Sequence, residues 1–230
     1  MAGHRVTILA IQRRHAERFR IRLGKRDGGQ PARLVNQIRV TSPDRKVVEA
    51  FASVYGGRAK RWEDQHEVFM PITRLPVTLL PGKTLQQDME LWGSAGCTRR
   101  CDSEVMTTGE VCACGPDLPI SDRECKPTSR LTVACPDVPI VGVGSLVTHS
   151  EIAAAELPAS MSLAQPLLDQ NVPVEAILRI DQMQTPGHHF AVPRLELQGI
   201  TFQDIALAAS SPPALGPGVK PVPLAIGGGE

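Results

Sequence analysis

Five of the six cysteines fall in one stretch, Cys97 to Cys125, which reads CTRRCDSEVMTTGEVCACGPDLPISDREC. Between them lie Asp, Ser, Thr, Gly and Pro, residues of turns rather than of long helices or strands. Thiols at this density share a metal, form disulfides, or stand reduced. Either of the first two ties the segment into a knot that the rest of the fold must accommodate.

The first apolar run, Val6–Ile11, is short and no small-residue cleavage site follows it, so the start does not read as a secretory signal. The expected setting is the cytoplasm, where clustered cysteines bind metal more often than they pair. A tetrahedral zinc site takes four ligands at about 2.3 Å, and five candidates are present: Cys97, Cys101, Cys112, Cys114 and Cys125. The favoured set is Cys97, Cys101, Cys125 and one of Cys112 and Cys114, with Cys114 preferred because Gly115-Pro116 follows it as a tight turn. An all-thiolate shell leaves no open position for a substrate, so such a zinc is structural. Structural zinc contributes on the order of 10 kcal/mol in small modules. Cys135 stands in an apolar strand pattern and reads as a small buried hydrophobe.

Charge divides the chain. Residues 1–62 carry 15 Lys/Arg against 4 Asp/Glu, and residues 63–230 carry 10 against 20. The two parts therefore meet different partners or attract each other. The basic part holds Arg13, Arg14, Arg18, Arg20 and Arg22, with Phe19 as the one interleaved aromatic, so phosphate contact is conceivable and base stacking is not. With 3% aromatics, the core must be built from Val, Ile, Leu and Ala.

Period-two alternation in Arg18–Leu23 predicts a half-buried strand, as do the apolar runs Leu34–Val40, Glu67–Met70, Val77–Leu80, Leu131–Cys135, Val141–Val147, Val174–Ile180 and Phe190–Leu197. Leu85–Trp92 fits strand or helix, and Val6–Ile11 is a further short strand. The clearest helix opens at Ser42-Pro43-Asp44, with Ser42 as cap, buries Val47, Val48, Phe51, Val54 and Tyr55, and stops at Gly56-Gly57. Ser150 caps a short helix over 151–156, and a second helix covers 160–169 until Pro166 disturbs it. Strands and helices alternate without a βαβ rhythm. The expected fold is α+β with a mostly antiparallel sheet, a single domain over 1–207, a zinc-binding insertion at 97–125 and a disordered tail over 208–230.

No catalytic constellation accompanies the histidines. His4, His15, His66, His149, His188 and His189 read as surface residues, Asp137 and Asp181 are isolated carboxylates, and Gly142-Val143-Gly144 lacks the rest of a dinucleotide loop. The chain is not expected to be an enzyme.

Several motifs follow one another in a telling order: Tyr55-Gly56-Gly57, Glu90-Leu91-Trp92, Cys97–Asp102, Cys112-Ala113-Cys114, Cys125–Leu131 and Ala191-Val192-Pro193. In these the chain resembles the recombination directionality factors of actinobacterial temperate phages that use large serine integrases, over roughly residues 18–205. The resemblance implies a non-enzymatic protein of the bacterial cytoplasm that binds an integrase on its attachment sites. Such a protein favours viral genome excision and opposes integration, while the integrase supplies the nucleophilic serine. It also implies little DNA binding by the protein alone. Near Gly144 the family pattern leads one to expect a Trp or another bulky residue, which this sequence lacks. The competing reading is a zinc-containing DNA-binding regulator, motivated by the basic first 62 residues.

Overall fold

The structure, a computed structural model, describes residues 17–25, 33–82, 84–114, 117–185 and 188–210. The expected strand at Val6–Ile11, His4, His15, Arg13, Arg14 and the tail beyond residue 210 lie outside the described residues. The fold is α+β, and its sheets are antiparallel at every strand pairing but one.

Eleven strands form two sheets. The larger has the order β3 (Lys60–Trp62), β4 (Gln65–Met70), β2 (Arg33–Ser42), β1 (Glu17–Lys25), β9 (Val143–Thr148), β8 (Lys126–Val133), β6 (Leu85–Gly93) and β7 (Gly96–Cys101). The smaller has the order β11 (His188–Leu197), β10 (Val174–Thr185) and β5 (Arg74–Leu79). Reciprocal backbone bonds between Thr78 and Ala134, at 2.9 and 3.0 Å, tie the sheets together. The predicted alternation in β1 holds: Phe19 and Ile21 are buried, Arg18 and Arg20 are exposed, and Arg22 is half-buried. The strand pairs β3–β4 and β6–β7 were only partly legible, because β3 is three residues long and β7 runs into the cysteine stretch.

Helix α1 (Arg45–Tyr55) is capped by Asp44, whose side chain accepts from the Lys46 N–H at 3.0 Å. Ser42, expected as the cap, instead ends β2 and donates its hydroxyl to the Arg18 carbonyl at 2.6 Å. Val47, Val48 and Phe51 are buried as the spacing predicts, while Val54 is exposed. Gly56 and Gly57 stop the helix with φ of 80° and 96°.

The two short helices expected over 151–169 are one, α2 (Glu151–Asp169), with Pro158 and Pro166 inside it. A proline at 158 cannot donate to the carbonyl four residues back. That orphan, the Ala154 carbonyl, accepts instead from Gln87 of β6 at 2.9 Å. The continuous stripe Ala153, Leu157, Met161, Ala164 and Leu168 then buries the helix as one unit. A third helix, α3 (Phe202–Ser210), opens on a reciprocal pair between Thr201 and Asp204 and occupies the start of the expected tail. No helix among the described residues is long and apolar enough to cross a membrane.

The missing bulk near Gly144 has a physical explanation. Gly144 is the partner of Phe19 in the parallel β1–β9 pair, and a Cβ built on it would sit 2.0 Å from the Phe19 ring. Phe19, packed edge-on against Phe51 at 4.7 Å between centroids, fills the space from the neighbouring strand. Gly144→Ala should therefore cost at least about 2 kcal/mol in urea unfolding through overpacking, and Phe19→Leu in the same chain should recover part of the loss. An unchanged urea midpoint for Gly144→Ala would refute this packing.

Candidate metal centre

The cysteine insertion hangs from the edge of the large sheet. Strands β7 and β8 flank β6, so Cys101, paired with Met89, and Cys125, one residue before Lys126 of β8, arrive on either side of the same strand. The chain between them folds back in tight turns. Asp102 accepts from the backbone N–H groups of Glu104 and Val105 at 3.0 and 2.8 Å, and Gly109 takes a φ of 92°. The Cys112 N–H donates to the Glu104 carbonyl at 2.7 Å, which folds Cys112 and Cys114 under the strand. Met89, Leu91 and Met106 pack around the resulting cluster.

The sulfurs of Cys101, Cys112, Cys114 and Cys125 all lie within 4.8 Å of one another, and all four residues are buried. Cys101 and Cys114 are 3.8 Å apart at sulfur, and Cys112 and Cys125 are 4.0 Å apart. Disulfides bond at about 2.05 Å, and all six cysteines are free. A tetrahedron of thiolates about 2.3 Å from a central ion has edges of about 3.8 Å, close to both separations. The donor set could therefore hold a metal ion.

Burial pushes the thiols of Cys101 and Cys125 up, to about 12 and about 11, with neighbouring sulfurs adding to the effect. Burial acts on Cys112 in the same sense. There the Cys114 backbone N–H and the surrounding thiols outweigh it and draw the group down to about 7. Packing four thiols together is thus unfavourable for their simultaneous ionisation, and a cation at their centre reverses that balance.

Of the five candidates, the structure does not bring Cys97 to this group. It stands exposed at the far end of β7, where its thiol approaches the Arg99 carbonyl at 3.2 Å. Four residues of extended strand separate it from Cys101 by about 13 Å, too far for a shared ion. Both Cys112 and Cys114 join the group, where spacing alone had favoured only one of them. The Gly115-Pro116 turn lies outside the described residues. Cys135 is buried in the main core. Asp137 accepts from the Tyr55 hydroxyl at 3.0 Å, and Asp181 pairs with Arg179 and Arg194. His149 lies 3.0 Å from the Thr128 hydroxyl.

Beside the cluster, on the same strand, sits a fully buried carboxylate. Glu90 accepts from Arg130 at 2.7 and 2.8 Å, from Arg100 at 2.7 Å and from the Trp92 ring N–H at 3.0 Å. Burial opposes its ionisation. The Arg130 hydrogen bonds and charge, the Trp92 bond and the Arg100 charge prevail, holding the carboxyl below the usual range. Trp92 itself is 55% exposed, so the carboxylate fixes an aromatic ring at the surface. Periodicity gives no sign of this hub, because Glu90 and Trp92 lie on the same face of β6 while their partners come from β7 and β8.

A cluster of four buried thiols thus stands at the edge of the large sheet, beside a buried carboxylate and an exposed aromatic ring. The chain belongs to the Gp3-like family of recombination directionality factor-like proteins, whose family model matches residues 20–198. The family is one of regulatory accessory factors in recombination. No curated protein and no solved structure matches the chain.

Glu90→Gln leaves two guanidinium groups short of a carboxylate and should destabilise the protein by about 2 kcal/mol or more. Because the folded Glu90 titrates below its unfolded value, its contribution is complete above about pH 4.3 and is lost as pH falls through the folded pKa. Urea unfolding from neutral pH to pH 3 should therefore show a steeper acid loss for the wild type than for the variant. Parallel profiles would contradict the assignment.

Proposed function

We propose that this protein is the directionality factor of a phage serine integrase. It binds the integrase on attachment-site DNA and shifts it from integrative to excisive recombination in the bacterial cytoplasm. The observation that carries the reading is family membership over residues 20–198, which takes in both sheets and the cysteine insertion. An actinobacterial phage origin is part of the proposal and rests on the sequence motifs. The protein forms and breaks no bonds in DNA. It contributes differential affinity for two arrangements of the integrase, since a ligand shifts an equilibrium only by binding one state better.

The ion in this reading is zinc, held by Cys101, Cys112, Cys114 and Cys125, and its task is structural. Among the described residues, four of the twelve exposed large hydrophobics, Val105, Val111, Leu118 and Ile120, come from the segment between Cys101 and Cys125, and a fifth, Trp92, stands on the neighbouring β6. They supply the aromatic and aliphatic anchors that a protein interface needs. A surface held rigid before binding loses less of its bias to ordering entropy.

In a purified recombination assay, adding the protein to its matched integrase should suppress integrative products and produce excisive ones. No change in product direction would remove the reading. The isolated protein should carry one zinc per chain by mass spectrometry of the metal; Cys97→Ser should keep it, and Cys112→Ser should lose it. Trp92→Ala should keep the metal and reduce co-elution with the integrase by about tenfold or more in affinity, the cost of losing a central anchor.

A further inference from the structure

A cleft lies between the start of α1 and the β3–β4 hairpin, at the opposite edge of the large sheet from the cysteine cluster. It has a volume of about 640 Å³ and is lined by Arg45, Arg58, Ala59, Lys60, Arg61 and His66. Four permanent cations and a histidine surround it, with no carboxylate among the lining residues. We infer that this cleft is a contact site for the phosphate backbone of duplex DNA.

The nearby acids offset only part of this charge. Glu49 accepts from Arg45 at 2.7 Å along the helix. Glu67 is buried and committed to Arg39 at 2.6 Å, so Lys60, 3.3 Å away, shares a carboxylate already in use. Among the described residues Arg58 and Arg61 have no ion pair; Arg61 only reaches the Glu63 carbonyl at 3.4 Å. The Nδ1 atom of His66 is buried without a hydrogen-bond partner among the described residues. Folding alone gives no reason to gather these charges, since like charges in one cleft repel and Arg58 and Arg61 are exposed.

The backbone holds the array in place. Gly57 has a φ of 96°, and a Cβ there would meet the Phe69 carbonyl oxygen at 2.3 Å. The chain is thus pressed against β4 immediately before Arg58. The cleft also offers little to a protein partner, since Ala59 is its one apolar lining residue and interfaces need larger anchors. Nor is it a platform for bases. The nearest aromatic, Trp62, already carries the Arg39 guanidinium 4.2 Å from its centroid and that of Arg22 at 5.1 Å. What remains is recognition of repeated negative charge without sequence readout. Such contacts are weak alone, in the range of about 10⁻⁴ to 10⁻⁶ M at physiological salt, and add to affinity only when another contact brings DNA close.

The test is fluorescence anisotropy of the full-length protein with a labelled duplex of about 20 base pairs over about 25–200 mM salt, alongside the Arg58→Glu, Arg61→Glu double variant. The wild type should bind with a salt slope reporting about three released counterions or more. The variant should bind at least about tenfold more weakly, with a slope lower by about 2. The milder Arg58→Gln, Arg61→Gln pair, with a wild-type urea midpoint, should show the same change in slope. Labelled polyglutamate serves as the acidic-peptide probe and should bind less tightly than the duplex. Absence of duplex binding at the lowest salt, an unchanged slope in the variants, or tighter binding of polyglutamate would each overturn the inference. Integrase co-elution without DNA reads the recombinase-binding proposal separately. Both double variants should retain it, so failure of one idea does not hide in failure of the other.

Discussion

Four sulfurs within 4.8 Å of one another are the constraint on which the cysteine insertion depends. Burial raises the thiols of Cys101 and Cys125, so without a cation the group resists full ionisation. Among the described residues, the hydrophobic side chains packed with it are Met89, Leu91 and Met106. That is a small apolar cluster for a segment of more than twenty residues between β7 and β8. Metal binding and folding of such a segment are one equilibrium, since the site does not exist in the unfolded chain.

The cluster sits against a strand that other parts of the fold share. Strand β6 carries Met89 against the sulfurs, Glu90 against three partners and Trp92 at the surface, so one strand joins the cluster, the buried carboxylate and the exposed ring. Gln87, further along the same strand, supplies the donor that Pro158 removes from α2. The insertion is thereby coupled through β6 to the helix packed on both sheets. Trp92 and the exposed side chains of the insertion are thus mounted on the sheet rather than on a free loop.

Much of this was legible in the sequence and some was not, for identifiable reasons. Cysteine density announces a shared site whatever the fold. Which sulfurs meet depends on whether residues 97–101 turn or extend, and pairing with β6 extends them, carrying Cys97 away. Asp44 displaces Ser42 as helix cap because Ser42 is taken into β2, a tertiary event with no local signal. The prolines of α2 argue locally for a break, and Gln87, remote in sequence, removes part of the penalty. The absent bulk at Gly144 reads as a departure until Phe19 is seen lying over it from β1. Alternation picks out the buried residues of β1, and helical spacing picks out Val47, Val48 and Phe51 of α1 but overreaches at Val54, which is exposed in the last turn.

Hydrogen exchange on the metal-loaded and chelator-treated protein tests most directly whether the cluster holds the insertion in place. Amides of residues 101–125 should lose protection when the metal is removed, while those of β2, β4, β10 and α1 keep theirs. Unchanged protection across 101–125 after complete metal removal would contradict the account.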